Sequence, residues 1–266
     1  MPPDSRIISG GCFGYNRILL MITDIHTHNF AGRTADVLKE AAANKIDRIV
    51  LLGDVLRHCA AQSAEQVRAI NDDTLNDVRN AGGYACGFCY LNPLLAPEFL
   101  EEEMARCLSL DEFRGIKLEI SVCCRDKSLD LLMATAIRYD VPVLQHTWYK
   151  TVNKYPGESD PSDVAALARR FPEAKIIMAH LCGCGVRGIE DIADCPNVTV
   201  DTSGGQPEAG LVEFAVRRIG SHRLVYGSDA PCREFGTQIA KVMEADISDA
   251  DKEAIFYKNS SELLKW

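Results

Sequence analysis

Thr23-Asp-Ile-His-Thr-His28 decides how the rest of the chain is read. It is a short alternating run that ends in two imidazoles spaced two residues apart. Residues at i and i+2 of a strand face the same side. With Ile25 and Thr27 turned outward, His26 and His28 point inward together. The same kind of short apolar run recurs along the chain, at 18–26, 47–53, 84–91, 113–120, 141–147, 175–181, 198–203 and 223–229. Helical periodicity follows each run, at 34–44, 62–80, 97–107, 128–139, 161–170, 187–193, 208–219 and 235–244, and a last helix at 249–265 closes the chain. Strands alternating with helices predict a parallel sheet with helical crossovers. Eight such units in 266 residues fit a closed (β/α)8 TIM barrel. An open doubly wound sheet is the rival, and no Gly-rich dinucleotide fingerprint follows any strand to support it. Residues 1–20 stand apart as an N-terminal extension to a single barrel domain over 21–266.

In such a barrel the chemistry gathers at the C-terminal ends of the strands. The chain has six His. Four lie at strand ends: His26 and His28 on strand one, His146 on strand five and His180 on strand six. Asp229, in Tyr226-Gly-Ser-Asp-Ala-Pro231, ends strand eight. One such residue is ordinarily a satisfied polar group. Five on one face are a site, and imidazoles with a carboxylate suit Zn or another borderline divalent ion.

This ordered set resembles the amidohydrolase superfamily. The local text is closest to the amidohydrolase-2 branch, which includes aminocarboxymuconate-semialdehyde decarboxylase. The matching stretches are Thr23-Asp-Ile-His-Thr-His28, Arg114-Gly-Ile-Lys-Leu118, Ile177-Met-Ala-His-Leu181, Val200-Asp-Thr-Ser203, Tyr226-Gly-Ser-Asp-Ala-Pro231 and Lys258-Asn259. The resemblance implies that His26, His28, His146 and Asp229 hold one divalent metal per chain, most simply Zn, with Mn the other choice. It implies that His180 orients or activates the metal-bound water and that His180 or Asp229 acts as general base. A binuclear variant would bring in His180 and, from strand four, Glu119 or Lys117. The internal reading of that strand is a Lys117–Glu119 contact, since a buried charge needs a partner.

Recognition of substrate is expected from the loops around the site. Trp148, Tyr149 and Lys150 follow His146, and Arg125, Arg187 and Arg233 lie in the loops after strands four, six and eight. An aromatic wall with one Arg fork would suit a small planar acid. Asp201, ending strand seven, is expected to face inward in a supporting role. His58 and His222 read as surface residues. Cys123, Cys124, Cys182, Cys184 and Cys232 follow strand ends without the spacing of a zinc pair or a ferredoxin run.

Composition limits the function classes. Hydrophobic residues make up 47% and charged residues 25%, with a net charge of −9, which speaks against a nucleic-acid binder. No stretch is long enough to span a membrane and no secretory signal is evident. The eleven Cys are therefore expected as reduced thiols in the cytoplasm. The partner expected is a small molecule, and a homodimer is the default assembly. The first expectation of activity is hydrolysis of an amide, ester or lactone bond in a small carbonyl or carboxylate compound. The alternative is non-oxidative, metal-dependent decarboxylation of an unsaturated or aromatic acid. A third reading is a non-catalytic barrel that buffers metal or senses redox state.

Overall fold

Eight short strands pair in the order of the sequence, all parallel, as the alternation predicts. They are β1 (Thr23–Thr27), β2 (Arg48–Leu51), β3 (Ala85–Leu91), β4 (Phe113–Leu118), β5 (Val143–Gln145), β6 (Ile176–Met178), β7 (Val198–Asp201) and β8 (Leu224–Val225). The backbone bonds Ile25 N to Tyr226 O, Asp229 N to His26 O and His28 N to Ala230 O join the last strand to the first and close the barrel. The computed structural model describes residues 20–55, 62–205 and 207–266. His58 and nearly all of the expected N-terminal extension lie outside the described residues.

The crossover helices are α1 (Thr34–Ala43), α2 (Ala64–Asn80), α3 (Pro97–Leu108), α4 (Asp130–Tyr139), α5 (Pro161–Arg170), α6 (Leu181–Asp191), α7 (Leu211–Ile219) and α8 (Phe235–Met243). Their starts follow from local chemistry. Ser63 and Gln66 form a reciprocal capping box before α2, and Asp160 with Asp163 forms another before α5, where Pro161 takes the first helical position. The last expected helix is two short ones, α9 (Asp249–Glu253) and α10 (Asn259–Leu264), joined by a π turn over Ala254–Lys258. No helix among the described residues is long and apolar enough to cross a membrane.

Two apolar layers hold this architecture. The larger joins the outward faces of the strands to the helices. It includes Ile116 and Leu118 of β4, Cys89 of β3, and Val67, Met104 and Leu167. The smaller fills the barrel below its mouth with Ile25, Val50, Phe88, Leu144, Ile177 and Val225, and the end of the chain (Leu263, Leu264, Trp266) packs against it. Ile25 thus corrects the simple alternation, which turns it outward. Between Asp24 and Thr27, β1 advances three residues while β2 advances two, from Ile49 to Leu51. That bulge puts one extra residue on β1 and brings both Ile25 and His26 to the interior.

Most strands are shorter than their apolar runs. His146, His180 and Asp229 consequently sit just beyond the last paired residues of β5, β6 and β8. His180 (φ 71°) and Asp229 (φ 63°) both adopt the left-handed conformation that non-glycine residues avoid. Backbone of this kind persists where the surroundings over-determine it and clusters at functional sites.

Candidate metal centre

At the barrel mouth, four imidazoles and a carboxylate converge, and a hydrogen-bond account of each imidazole explains how. His26 Nδ1 donates to Asp201 Oδ2 at 2.8 Å. His28 Nδ1 donates to the Gly53 carbonyl at 3.2 Å. His180 Nδ1 meets Ser203 Oγ at 2.8 Å, and that hydroxyl in turn donates to Asp201 Oδ1. His146 Nε2 donates to Glu158 Oε1 at 3.1 Å. A neutral imidazole has one N–H, so spending it on these acceptors leaves the other nitrogen bare.

The inner nitrogens lie close to Asp229 or to one another. His26 Nε2 is buried without a hydrogen-bond partner. It lies 3.6 Å from Asp229 Oδ1, and His28 Nε2 lies 3.5 Å from the same oxygen. His180 Nε2 is 3.3 Å from His146 Nδ1. Ligand atoms of His26, His180 and Asp229 all lie within 4.8 Å of one another, the one such metal-capable group among the described residues. Burial pushes the His26 and His180 pKa values down, so both rings are neutral. Burial alone would raise the Asp229 pKa, but the imidazoles around it, His28 first, hold it well below the usual carboxylate range. Deprotonated carboxylate, neutral imidazoles and an orphaned buried nitrogen are what a divalent cation requires of its ligands.

Strand four contributes a charge pair beside this set. Lys117, fully buried, lies 2.9 Å from Glu119 Oε1, while Glu119 Oε2 is 3.5 Å from His146 Nδ1. Burial would raise the Glu119 pKa, but Lys117 and then His146 bring it down to about 2. Asp201 lies inside the barrel. Besides His26 it accepts the backbone N–H groups of His180 and Ser203, which ties β1, β6 and β7 together at the mouth.

The expected recognition residues separate. Trp148 lies beside His180, ring centroids 5.3 Å apart. Tyr149 is exposed and carries the Arg187 guanidinium over its ring. Arg125 and Arg187 are spent on Asp163 and Asp191 at 2.5 and 2.8 Å. Among the described residues Arg233 binds only backbone carbonyls, of Gly204 and Cys232, in the loop that follows Asp229. The rim thiols do not gather into a site. Cys184 donates to the Thr147 and Ala179 carbonyls, and burial pushes Cys124 up to about 12.

Glu158 is a residue of the barrel mouth that the sequence reading passes over. It is 1% exposed, in the loop between β5 and α5, and no strand end or periodicity marks it. Lys241 is a second. Its ammonium donates to the Thr202 carbonyl at 2.8 Å and lies 3.3 Å from Cys182 Sγ, which pins the start of α6 and the loop after β7 to α8.

Comparison with known proteins fits this geometry. The amidohydrolase-2 family model, described as Amidohydrolase, matches residues 23–266. The chain belongs to the amidohydrolase family. No curated protein sequence matches it. Among solved structures it is similar to 2,6-dihydroxybenzoate decarboxylase from Rhizobium, with 17% identity over 92% of this chain and 99% of the other and a TM-score of 0.74. It is also similar to 5-carboxyvanillate decarboxylase from Novosphingobium aromaticivorans, solved with manganese, at 15% identity over 93% and 96% of the two chains, TM-score 0.74. A third is dihydroxybenzoic acid decarboxylase from Polaromonas, with bound manganese and 2-nitroresorcinol, at 16% identity over 92% and 97%, TM-score 0.74.

These neighbours overturn the expectation of amide, ester or lactone hydrolysis. They are decarboxylases, so the alternative reading fits better than the first. The reason is physical. A metal held by imidazoles and a carboxylate can polarise either a scissile carbonyl or a bound acid, so the ligand motif alone does not separate the two reactions. The expected preference for Zn is likewise not what the neighbours hold, since two of them carry manganese.

Proposed function

We propose that this amidohydrolase is a metal-dependent, non-oxidative decarboxylase of a small aromatic or unsaturated carboxylic acid. The observation that carries the reading is the set of bare, inward nitrogens around Asp229, on a fold whose solved neighbours decarboxylate hydroxylated aromatic acids. His26, His28, His146 and Asp229 would hold one divalent cation, Mn or Zn, with His180 and Glu119 adjacent. Bound there, the cation would act as a Lewis acid on oxygens of the substrate.

The chain's own groups supply the rest. Loss of CO₂ from an aromatic carboxylate exchanges a C–C bond for a C–H bond, so a proton must be delivered to the ring carbon. His180 and Asp229 are the groups placed to hold and move that proton. Ser203 fixes His180 with Nδ1 protonated, so Nε2 is the nitrogen that faces the site. Trp148 offers an aromatic wall beside His180. Arg233, which pairs with no carboxylate among the described residues, is the guanidinium left to clamp an acid. Near-complete burial of His28 and His180 keeps water from competing with the substrate for the site.

The test loads the purified protein with Mn²⁺ and presents a panel of hydroxybenzoates and vanillate-type acids in D₂O. Release of CO₂ with one deuterium at the vacated ring position is expected. A fully metal-loaded protein that releases no CO₂ from any member of the panel rejects the reading.

A further inference from the structure

Glu158 is nearly inaccessible and anionic, and it is shared between the site and the loop after β5. Burial alone would raise its pKa, yet hydrogen bonds from His146 and Lys150 bring it down to about 2. Its Oε1 accepts from His146 Nε2 at 3.1 Å and from Lys150 Nζ at 2.7 Å, and its Oε2 accepts from the Tyr155 N–H at 3.2 Å. Among the described residues no other carboxylate meets His146 Nε2.

The loop that carries Glu158 is built to put it there. Trp148 N donates to Ser159 O at 3.0 Å and closes the loop at its base. Tyr149 N donates to Gly183 O and ties the loop to the turn after His180. Lys150 Nζ lies across the faces of Trp148 and Tyr155. At Gly157 an added Cβ would fall 2.1 Å from the Ile120 carbonyl, so only glycine lets the chain settle onto the β4 loop one residue before Glu158.

We infer that Glu158 is the positioning residue for His146. By holding Nε2–H, it turns Nδ1 toward the metal centre. A ligand histidine whose outer nitrogen is bound by a carboxylate is fixed in tautomer and orientation, and it is a stronger donor. His26 is served in this way by Asp201, from a barrel strand. His146 is served in the same way by Glu158, from the loop after β5. The inference rests on the metal-binding part of the proposed function and is independent of which acid is decarboxylated.

The test reads Mn²⁺ affinity by calorimetry or by the spectrum of free Mn²⁺, with no turnover required. Glu158→Ala is expected to weaken binding about 10- to 100-fold. Glu158→Gln keeps an acceptor oxygen toward His146 and is expected to recover part of that loss. Lys150→Ala loosens the loop while sparing the Glu158–His146 bond, and it should stay within a few-fold of the wild-type protein. Circular dichroism confirms that each variant is folded. Wild-type affinity in Glu158→Ala overturns the inference, and so does a loss in Lys150→Ala as large as in Glu158→Ala, since anchoring of the loop would then suffice. A wild-type protein that binds no Mn²⁺ rejects the metal reading itself.

Discussion

Two clusters of polar side chains are each built on fully buried groups and differ in what they leave unpaired. Between α2 and α3, Glu103 is fully buried and every acceptor site is used. Arg106 binds it through two nitrogens at 2.6 and 2.9 Å, Arg68 at 3.2 Å and Asn71 at 2.8 Å. At the barrel mouth each imidazole spends its outer nitrogen on a neighbour and turns the other toward Asp229 or a second imidazole. The first cluster is complete as it folds, and its business is to hold two helices together. In the second, His26 Nε2 has no hydrogen-bond partner among the described residues, a condition costly in a folded protein unless a ligand relieves it. Burial therefore marks neither cluster as functional. The leftover hydrogen-bonding capacity does.

The largest expected effect breaks the second cluster. The double substitution His26→Ala/His28→Ala should weaken Mn²⁺ binding by more than about 100-fold, beyond the range expected for loss of an orienting partner alone. Decarboxylation should vanish with it. Equilibrium dialysis followed by elemental analysis measures the binding, and a variant that retains its metal would place the centre elsewhere.

The next effect breaks the first cluster. Glu103→Ala removes the shared anion from two arginines and an asparagine, and it should cost about 3 kcal/mol, the low end for breaking a buried ion pair. The arginines are half-buried and regain water, which keeps the cost from being larger. Urea unfolding measures the loss, and the Mn²⁺ affinity of the folded variant should equal the wild-type value. A parallel loss of metal binding would mean that the two clusters are one network.

A third comparison joins the two. Mn²⁺ at about 100 times its dissociation constant should stabilise the wild-type protein by about 2.7 kcal/mol, because it binds only the folded chain. Glu103→Ala should gain the same amount and His26→Ala/His28→Ala should gain nothing. Thermal melts with and without the ion read this directly.

The architecture was legible because helical and strand periodicities alternate without interruption from Thr23 to Trp266. The mouth was legible where chemistry coincided with a strand end, as at His26, His146 and Asp229. Ile25 was misread because a bulge is invisible to strict alternation; the extra residue appears only when β1 is paired with β2. Glu158 was missed for another reason. It reaches His146 through a loop that returns to pair Trp148 with Ser159, and no local pattern encodes that return. The reaction was misjudged because one ligand set serves two chemistries, and what distinguishes them lies in the substrate's own bonds.

The smallest expected effect is on acid stability, and it separates the clusters by sign as well as by size. Burial raises the Glu103 pKa, but Arg106, Asn71 and Arg68 outweigh it and bring the folded value below the ordinary 4.5. Below about pH 4.5 the unfolded chain therefore takes up a proton at this residue that the folded chain does not, and stability falls as pH drops. Glu103→Gln cannot titrate, so its stability should decline less steeply over that window than the wild-type protein's, after a fixed loss at neutral pH. Metal release on acidification is a different event, since protons there compete for the bare imidazole nitrogens. Its midpoint should be the same in Glu103→Gln and in the wild-type protein. A shifted midpoint would show that the charge between α2 and α3 is felt at the barrel mouth.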